Sequence, residues 1–211
     1  MNHELYENVT LLVESIKQSD KEHFGVTFRD TPNLRKIVLY LQMNQSQGQD
    51  TLRFCYDSYN FVALMFDRMG RVSVAAFYYV RALEIVKKLK RTPRNLDSII
   101  RSALIARNYY VDDDCQDIRI LVKGRINEKK LNDIYKKNLN QPRELLHDPV
   151  EMSDAYLSVI DEVEEILDEQ FEGRNGRGLC HVLWKAKKSL LIARGVSWKS
   201  LGEMNPHILF D

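Results

Sequence analysis

The chain has 211 residues, of which 44% are hydrophobic and 29% charged, with a formal net charge of +1. That length and apolar content suffice for a sizeable core, in one domain or in two joined helical halves. The balance of charge leaves no global field that would point to nucleic acid, a membrane surface or an acidic substrate.

From the N-terminus, Leu5, Val9, Leu12, Val13 and Ile16 recur at helical spacing, with no apolar core of a signal peptide. "HFGVTF" (23–28) is the one short run with strand-like chemistry, and a single strand makes no sheet. Thr31 before Pro32 reads as an N-cap with proline at the first helical position, and Leu34, Ile37, Val38 and Leu41 continue that helix. "QMNQSQGQD" interrupts it as a polar loop. A second Thr-Pro start at Thr92 and Pro93 leads into Leu96, Ile99, Ile100, Ala103 and Leu104. Asp112, Asp113 and Asp114 are expected to end that helix and cap the next, which carries Ile118, Leu121 and Val122. The stretch from Lys123 to Arg143 is basic and less regular. The two prolines of "QPRELLHDPVE" disfavour continuous helix and mark a joint between 1–141 and 142–211, in two domains or one continuous one. The fold class is all-α, built from antiparallel helical hairpins.

The strongest pattern runs from Tyr59 to Ile85, "YNFVALMFDRMGRVSVAAFYYVRALEI". Ala63, Ala75 and Ala82 are small enough to let two helices approach closely, and Tyr59, Phe66 and Tyr79 fill the space beside them. Gly70 suits the left-handed residue that ends a helix. On these seven positions the segment resembles a tetratricopeptide repeat, a helix-turn-helix unit of about 34 residues. The family's usual proline after the second helix is absent, "KKLKR" standing there instead. The resemblance implies a helical array, extended by an irregular unit over 95–124, that binds a protein or peptide partner in a groove between helices.

The segment 151–172 carries nine Asp or Glu and no Lys or Arg, whereas 173–200 carries seven Lys or Arg and no acid. Met152, Ala155, Tyr156, Val159, Val163, Ile166, Leu167 and Phe171 form the apolar face of the first; Leu179, Leu183, Ala186 and Leu190 carry the second. An acidic helix, a glycine turn and a basic helix predict a self-complementary hairpin. Lys87, Lys88, Lys90, Arg91 and Arg94 read as a solvated helix end. Trp198, Ile208, Leu209 and Phe210 are expected to dock onto the body near Trp184, the rival reading being a peptide held for a partner.

Between the two helices lies "GRNGRGLCH", from which two further readings arise. Arg174, Arg177 and the backbone amides before a helix suit a phosphate, although no strand precedes them and no Gly-Lys-Ser/Thr follows. Arg174, Asn175 and His181 are also similar to the Arg-polar…His signature of the helical HEPN nucleases. That resemblance implies RNA cleavage with Arg174 and His181 at the scissile phosphate. Cys180, adjacent to His181, points about 100° away on a helix and cannot pair with it as a nucleophile, so it is expected in the core.

Cys55, Cys115 and Cys180 are odd in number and widely spaced, which argues against a disulfide framework or a zinc site. His207 and Asp211 have no metal-ligand spacing. The expectation is thus a cytoplasmic protein-interaction module without cofactor, metal or membrane segment, the alternative being the nuclease or phosphate-binding protein.

Overall fold

The computed structural model describes residues 3–22, 30–44, 47–108, 115–139, 145–172 and 176–210. They are all-helical, with no strand among them. The "HFGVTF" run, Asp112–Asp114 and Arg174 lie outside the described residues. The chain divides into two compact units, the first drawn from Met1–Asn108 and Asp112–Gln141, the second from Tyr109–Val111 and Pro142–Asp211.

In the first unit, α1 (His3–Glu22) and α2 (Thr31–Met43) pack together, and α2 leads onto α3 (Gln49–Arg68). The most extensive packing joins α3 to α4 (Val72–Val86), and α4 in turn carries α5 (Leu96–Asn108) and α6 (Gln116–Val122). A seventh helix, α7 (Glu128–Leu139), packs on α5. The apolar stripes account for this order. Leu5, Val9 and Ile16 of α1 are buried, as are Leu34, Ile37, Val38 and Leu41 of α2.

At the α3–α4 turn the chain reverses by a Schellman motif. The Arg71 N–H donates to the Phe66 carbonyl (2.9 Å) and the Gly70 N–H to that of Asp67 (2.9 Å), with Gly70 at φ 73°. Ala63, Ala75 and Ala82 are fully buried and Phe66 and Tyr79 nearly so, which lets the two helices lie close together.

Several expectations from sequence change here. The cap of α2 sits one residue earlier, at Asp30, which places Pro32 second in the helix. Thr31 instead takes a hydrogen bond from Arg71 (3.1 Å), tying the start of α2 to the start of α4. Thr92 and Pro93 precede a turn, and α5 begins only at Leu96. The basic stretch after Lys123 contains the regular helix α7. It buries Leu131, Ile134 and Tyr135 and leaves its lysines in solvent. Tyr135 fixes it by donating to the Cys115 carbonyl (2.9 Å).

The second unit comprises a 3-10 turn (Pro149–Met152), α8 (Asp154–Gln170), α9 (Leu179–Ile192) and the short α10 (Leu201–Met204). Ser153 caps α8 by accepting from the Tyr156 N–H (3.2 Å). The buried seam of α8 is Tyr156, Ile160, Val163 and Leu167. Ile160 thus joins the face, while Ala155 is exposed. The turn back into α9 uses Gly178 at φ 74°.

As the charge reversal implied, α8 and α9 pair through Lys187 with Glu164 (2.6 Å) and Arg194 with Glu162 (2.7 Å). Exposed pairs of this kind contribute about 0–1 kcal/mol each, so they select the register more than they stabilise it. Only Leu191 of α9 is fully buried, and Cys180 is half-buried, not a core residue.

The segment after α9 docks within its own unit at two places. Trp198 is buried and its indole N–H donates to Glu151 (2.6 Å). The Phe210 ring meets Trp184 edge-on at 5.0 Å. Leu209, by contrast, is 91% exposed and takes no part.

Candidate functional site

Polar and charged side chains converge at two places, one in each unit. In the first unit, the C-terminal end of α2, the loop after it and the α3–α4 hairpin enclose a cleft of about 330 Å³. Leu41 from α2 and Leu52, Cys55 and Tyr59 from α3 line it on one side, with Ile85 from α4 opposite. Gln42, Asn44 and Gln47 line it with amides, while Arg81, Glu84 and Lys88 of α4 add charge.

Helical spacing places these groups together. Leu52, Cys55 and Tyr59 are three and four residues apart on α3, and Arg81, Glu84, Ile85 and Lys88 recur likewise on α4, so each set forms one face. Within the cleft, Asn44 donates to the Cys55 thiol (3.7 Å), and Arg81 pairs with Glu84 (3.0 Å) while lying over the Phe77 ring (4.9 Å). Burial pushes the Cys55 thiol and the Tyr59 phenol up, so both stay protonated near neutral pH. Tyr59 also stacks on Tyr78 at 6.2 Å, which holds its ring against α4. The cleft therefore offers an apolar floor with neutral donors and acceptors above it, suited to holding a side chain and reading a backbone.

Among the repeat positions marked in the sequence, Tyr59 lines this cleft, whereas Ala63, Phe66, Ala75, Tyr79 and Ala82 are interior and Gly70 makes the turn. Gln42, Asn44 and Gln47 went unmarked, because a polar loop carries no periodicity and only its closure on α3 and α4 gives it a role.

The second convergence surrounds the segment after α9. Glu151 is buried; burial opposes its ionisation, but His147, Lys187 and the Trp198 N–H outweigh that and hold its pKa below the ordinary value. Lys187 lies 5.1 Å from the Trp198 ring and 5.7 Å from that of Tyr156. Asp148 accepts from the Val150 N–H (3.0 Å) and the Lys199 N–H (2.6 Å). The Asn205 side chain both accepts from the Leu146 N–H (2.8 Å) and donates to the Leu146 carbonyl (2.8 Å). These groups are engaged with one another, and the arrangement clasps residues 146–151 to 198–205.

Arg177 is exposed before α9, and His181 is exposed in the first turn of that helix. His181 Nε2 lies 3.1 Å from the Phe210 carbonyl oxygen, and its ring meets Trp184 at 5.2 Å, so its polar edge is directed at the docked segment. Among the described residues no cluster of three or more His, Cys, Asp or Glu could hold a metal ion. None of the described helices is long and apolar enough to cross a membrane.

The capping box of α10 gives the second unit a titratable element. Ser200 and Glu203 bond reciprocally, and Lys188 pairs with the same carboxylate. The Lys188 hydrogen bond, then the Ser200 N–H, lower Glu203 from 4.5 to about 2. A depressed carboxylate stabilises the fold above its unfolded pKa and loses that contribution as pH falls through the folded value. Acid titration followed by Trp184 fluorescence should thus show a transition between pH 4.5 and about 2, since α10 places Gly202 against that indole. Glu203→Gln should flatten this limb, and an unchanged limb would remove Glu203 from its origin.

No protein-family model, no curated protein and no solved structure matches the chain.

Proposed function

We propose that this protein is a cytoplasmic interaction module that takes a short peptide segment of a partner into the cleft between α2, α3 and α4, without catalysis. The α3–α4 hairpin acts as a tetratricopeptide-like unit, its alanine contacts setting the helix spacing and its outer residues forming one wall. The observation that carries this reading is the cleft itself: an apolar floor of Leu41, Leu52 and Ile85, with Gln42, Asn44 and Gln47 placed around it. Amide side chains both donate and accept, as a peptide backbone requires. Small concave sites with a few convergent polar groups are the usual form of a recognition site. Three free cysteines accord with a reducing compartment.

Selection of peptides from a displayed random library tests this directly. Recovered peptides, made synthetically, should bind the protein in a fluorescence anisotropy titration. They should lose at least about tenfold in affinity, roughly 1.4 kcal/mol, when Ile85→Trp fills the cleft from its half-exposed wall. Peptides that bind the variant as well as the parent, or a selection that yields none distinguishing the two, would overturn the reading.

A further inference from the structure

The formal charge of +1 conceals a division along the chain. Residues 1–141 carry 23 Lys or Arg against 17 Asp or Glu, and residues 142–211 carry 8 against 13. In the first part the excess is concentrated at one place. Lys87, Lys88, Lys90, Arg91 and Arg94 follow one another at the end of α4 and in the turn to α5, with no acid between Ile85 and Leu96. All five are exposed.

Elsewhere in this unit cations are spent on the fold: Arg53 pairs with Asp57, Arg68 with Asp20, Arg107 with Asp117 and Arg119 with Glu128. Among the described residues, no carboxylate pairs with any of the five. The turn that carries them is nevertheless held in place. Gln49 of α3 donates to the Lys88 carbonyl (3.0 Å) and accepts from the Lys90 N–H (2.6 Å). Arg125 donates to the Lys87 carbonyl (2.9 Å), which brings a further guanidinium to the same spot.

This basic turn is continuous with the cleft. Ile85 and Lys88 belong to the cleft wall, and Lys87 to Arg94 extend from it. Resting on the reading of the cleft as a peptide site, we infer that its occupant is an acidic segment of a protein. One apolar side chain enters the cleft and a run of carboxylates beside it lies over Lys87, Lys90, Arg91 and Arg94. Lysine and arginine meet carboxylates through charge-assisted hydrogen bonds, and an unpaired cationic surface steers an anionic partner to the site. A peptide suits the surface better than a nucleic acid. No aromatic residue lies between Ile85 and Leu96 on which a base could stack, and stacking is the usual companion of a basic groove that takes single strands.

The selected peptides separate this inference from the reading beneath it. They should carry Asp or Glu next to an apolar residue and bind as C-terminal amides as well as they do as free acids. Replacing their acids by Asn or Gln should weaken binding about tenfold at low salt, and the loss should shrink as salt is raised. The combined variant Lys87→Gln, Lys90→Gln, Arg91→Gln and Arg94→Gln should weaken the acidic peptides by a similar factor and leave the amide-substituted ones unchanged. All four side chains are exposed, so the helical circular dichroism of the variant should match the parent and report folding. Peptides that depend on Ile85 but show no acidic bias, and bind the combined variant equally, would overturn the inference and leave the cleft reading standing. Peptides indifferent to Ile85→Trp would overturn both. Single-stranded polyuridylate that binds more tightly than the acidic peptides and displaces them would overturn the inference in favour of nucleic acid.

Discussion

Trp198→Ala is expected to lower the stability of the second unit by about 3–5 kcal/mol, the usual cost of deleting a large buried aromatic. Trp198 is 3% exposed and its ring packs beside Lys187. Its N–H also provides Glu151 with a donor at 2.6 Å, and Glu151 is a buried carboxylate. Removing the indole therefore opens a cavity and strips a charged group of a partner. Trp198→Phe separates the two effects. The phenyl ring keeps much of the packing while the donor is lost, and leaving a buried acceptor without its donor costs about 1–3 kcal/mol. Urea unfolding measures both, because the protein has two tryptophans and Trp184, the one that remains, lies in the same unit. A midpoint unchanged by Trp198→Ala would show that the indole does not anchor the segment after α9.

Phe66→Ala is expected to destabilise the first unit by a similar amount, about 3–5 kcal/mol. Phe66 is 1% exposed, stacks on Tyr78 at 5.7 Å and sits in the last turn of α3, where its carbonyl closes the Schellman motif. Its side chain fills the space that the alanine contacts leave between α3 and α4. The backbone bond would survive the substitution, so the loss is one of packing alone. Phe66→Leu, closer in volume, should cost less than half as much. Urea unfolding followed by far-ultraviolet circular dichroism reads the difference. Equal midpoints for Phe66→Ala and the parent would mean that this ring is not part of the interior.

The hairpin around Phe66 was legible in the sequence because its rules are local. Small residues at helical spacing, a glycine at the reversal and aromatics between them each state one requirement of two helices in close contact. The register of α8 was harder to read. Ala155, Val159 and Ile166 make as regular a stripe as Ile160 does, and only the position of α9 decides which one is covered. Helix α7 escaped notice for the opposite reason. Leu131, Ile134 and Tyr135 are its only buried residues, and a single turn of apolar spacing among lysines looks irregular. The cleft lay beyond reach altogether. Gln42, Asn44 and Gln47 acquire a purpose only when a loop from α2 closes over α3 and α4, and no spacing along the chain announces that. Glu151 likewise looked like one more acid at the start of an acidic helix. Its burial follows from Trp198, 47 residues later.

That separation bears on how the two units come into being as the chain is made. In the first, each of α1 to α5 packs on the helix next to it in the chain, so structure can accumulate in the order of synthesis. The clasp of the second joins Asp148 to Lys199, Glu151 to Trp198 and Leu146 to Asn205, partners 47 to 59 residues apart. Contacts of such sequence separation form late, because the loop between them must first be closed. On the ribosome, the acidic and basic helices can pair early, but Glu151 waits with its charge unsheltered until Asn205 has emerged. For that interval the second unit is a hairpin without its lock, and it is then that a chaperone or a protease would find it open.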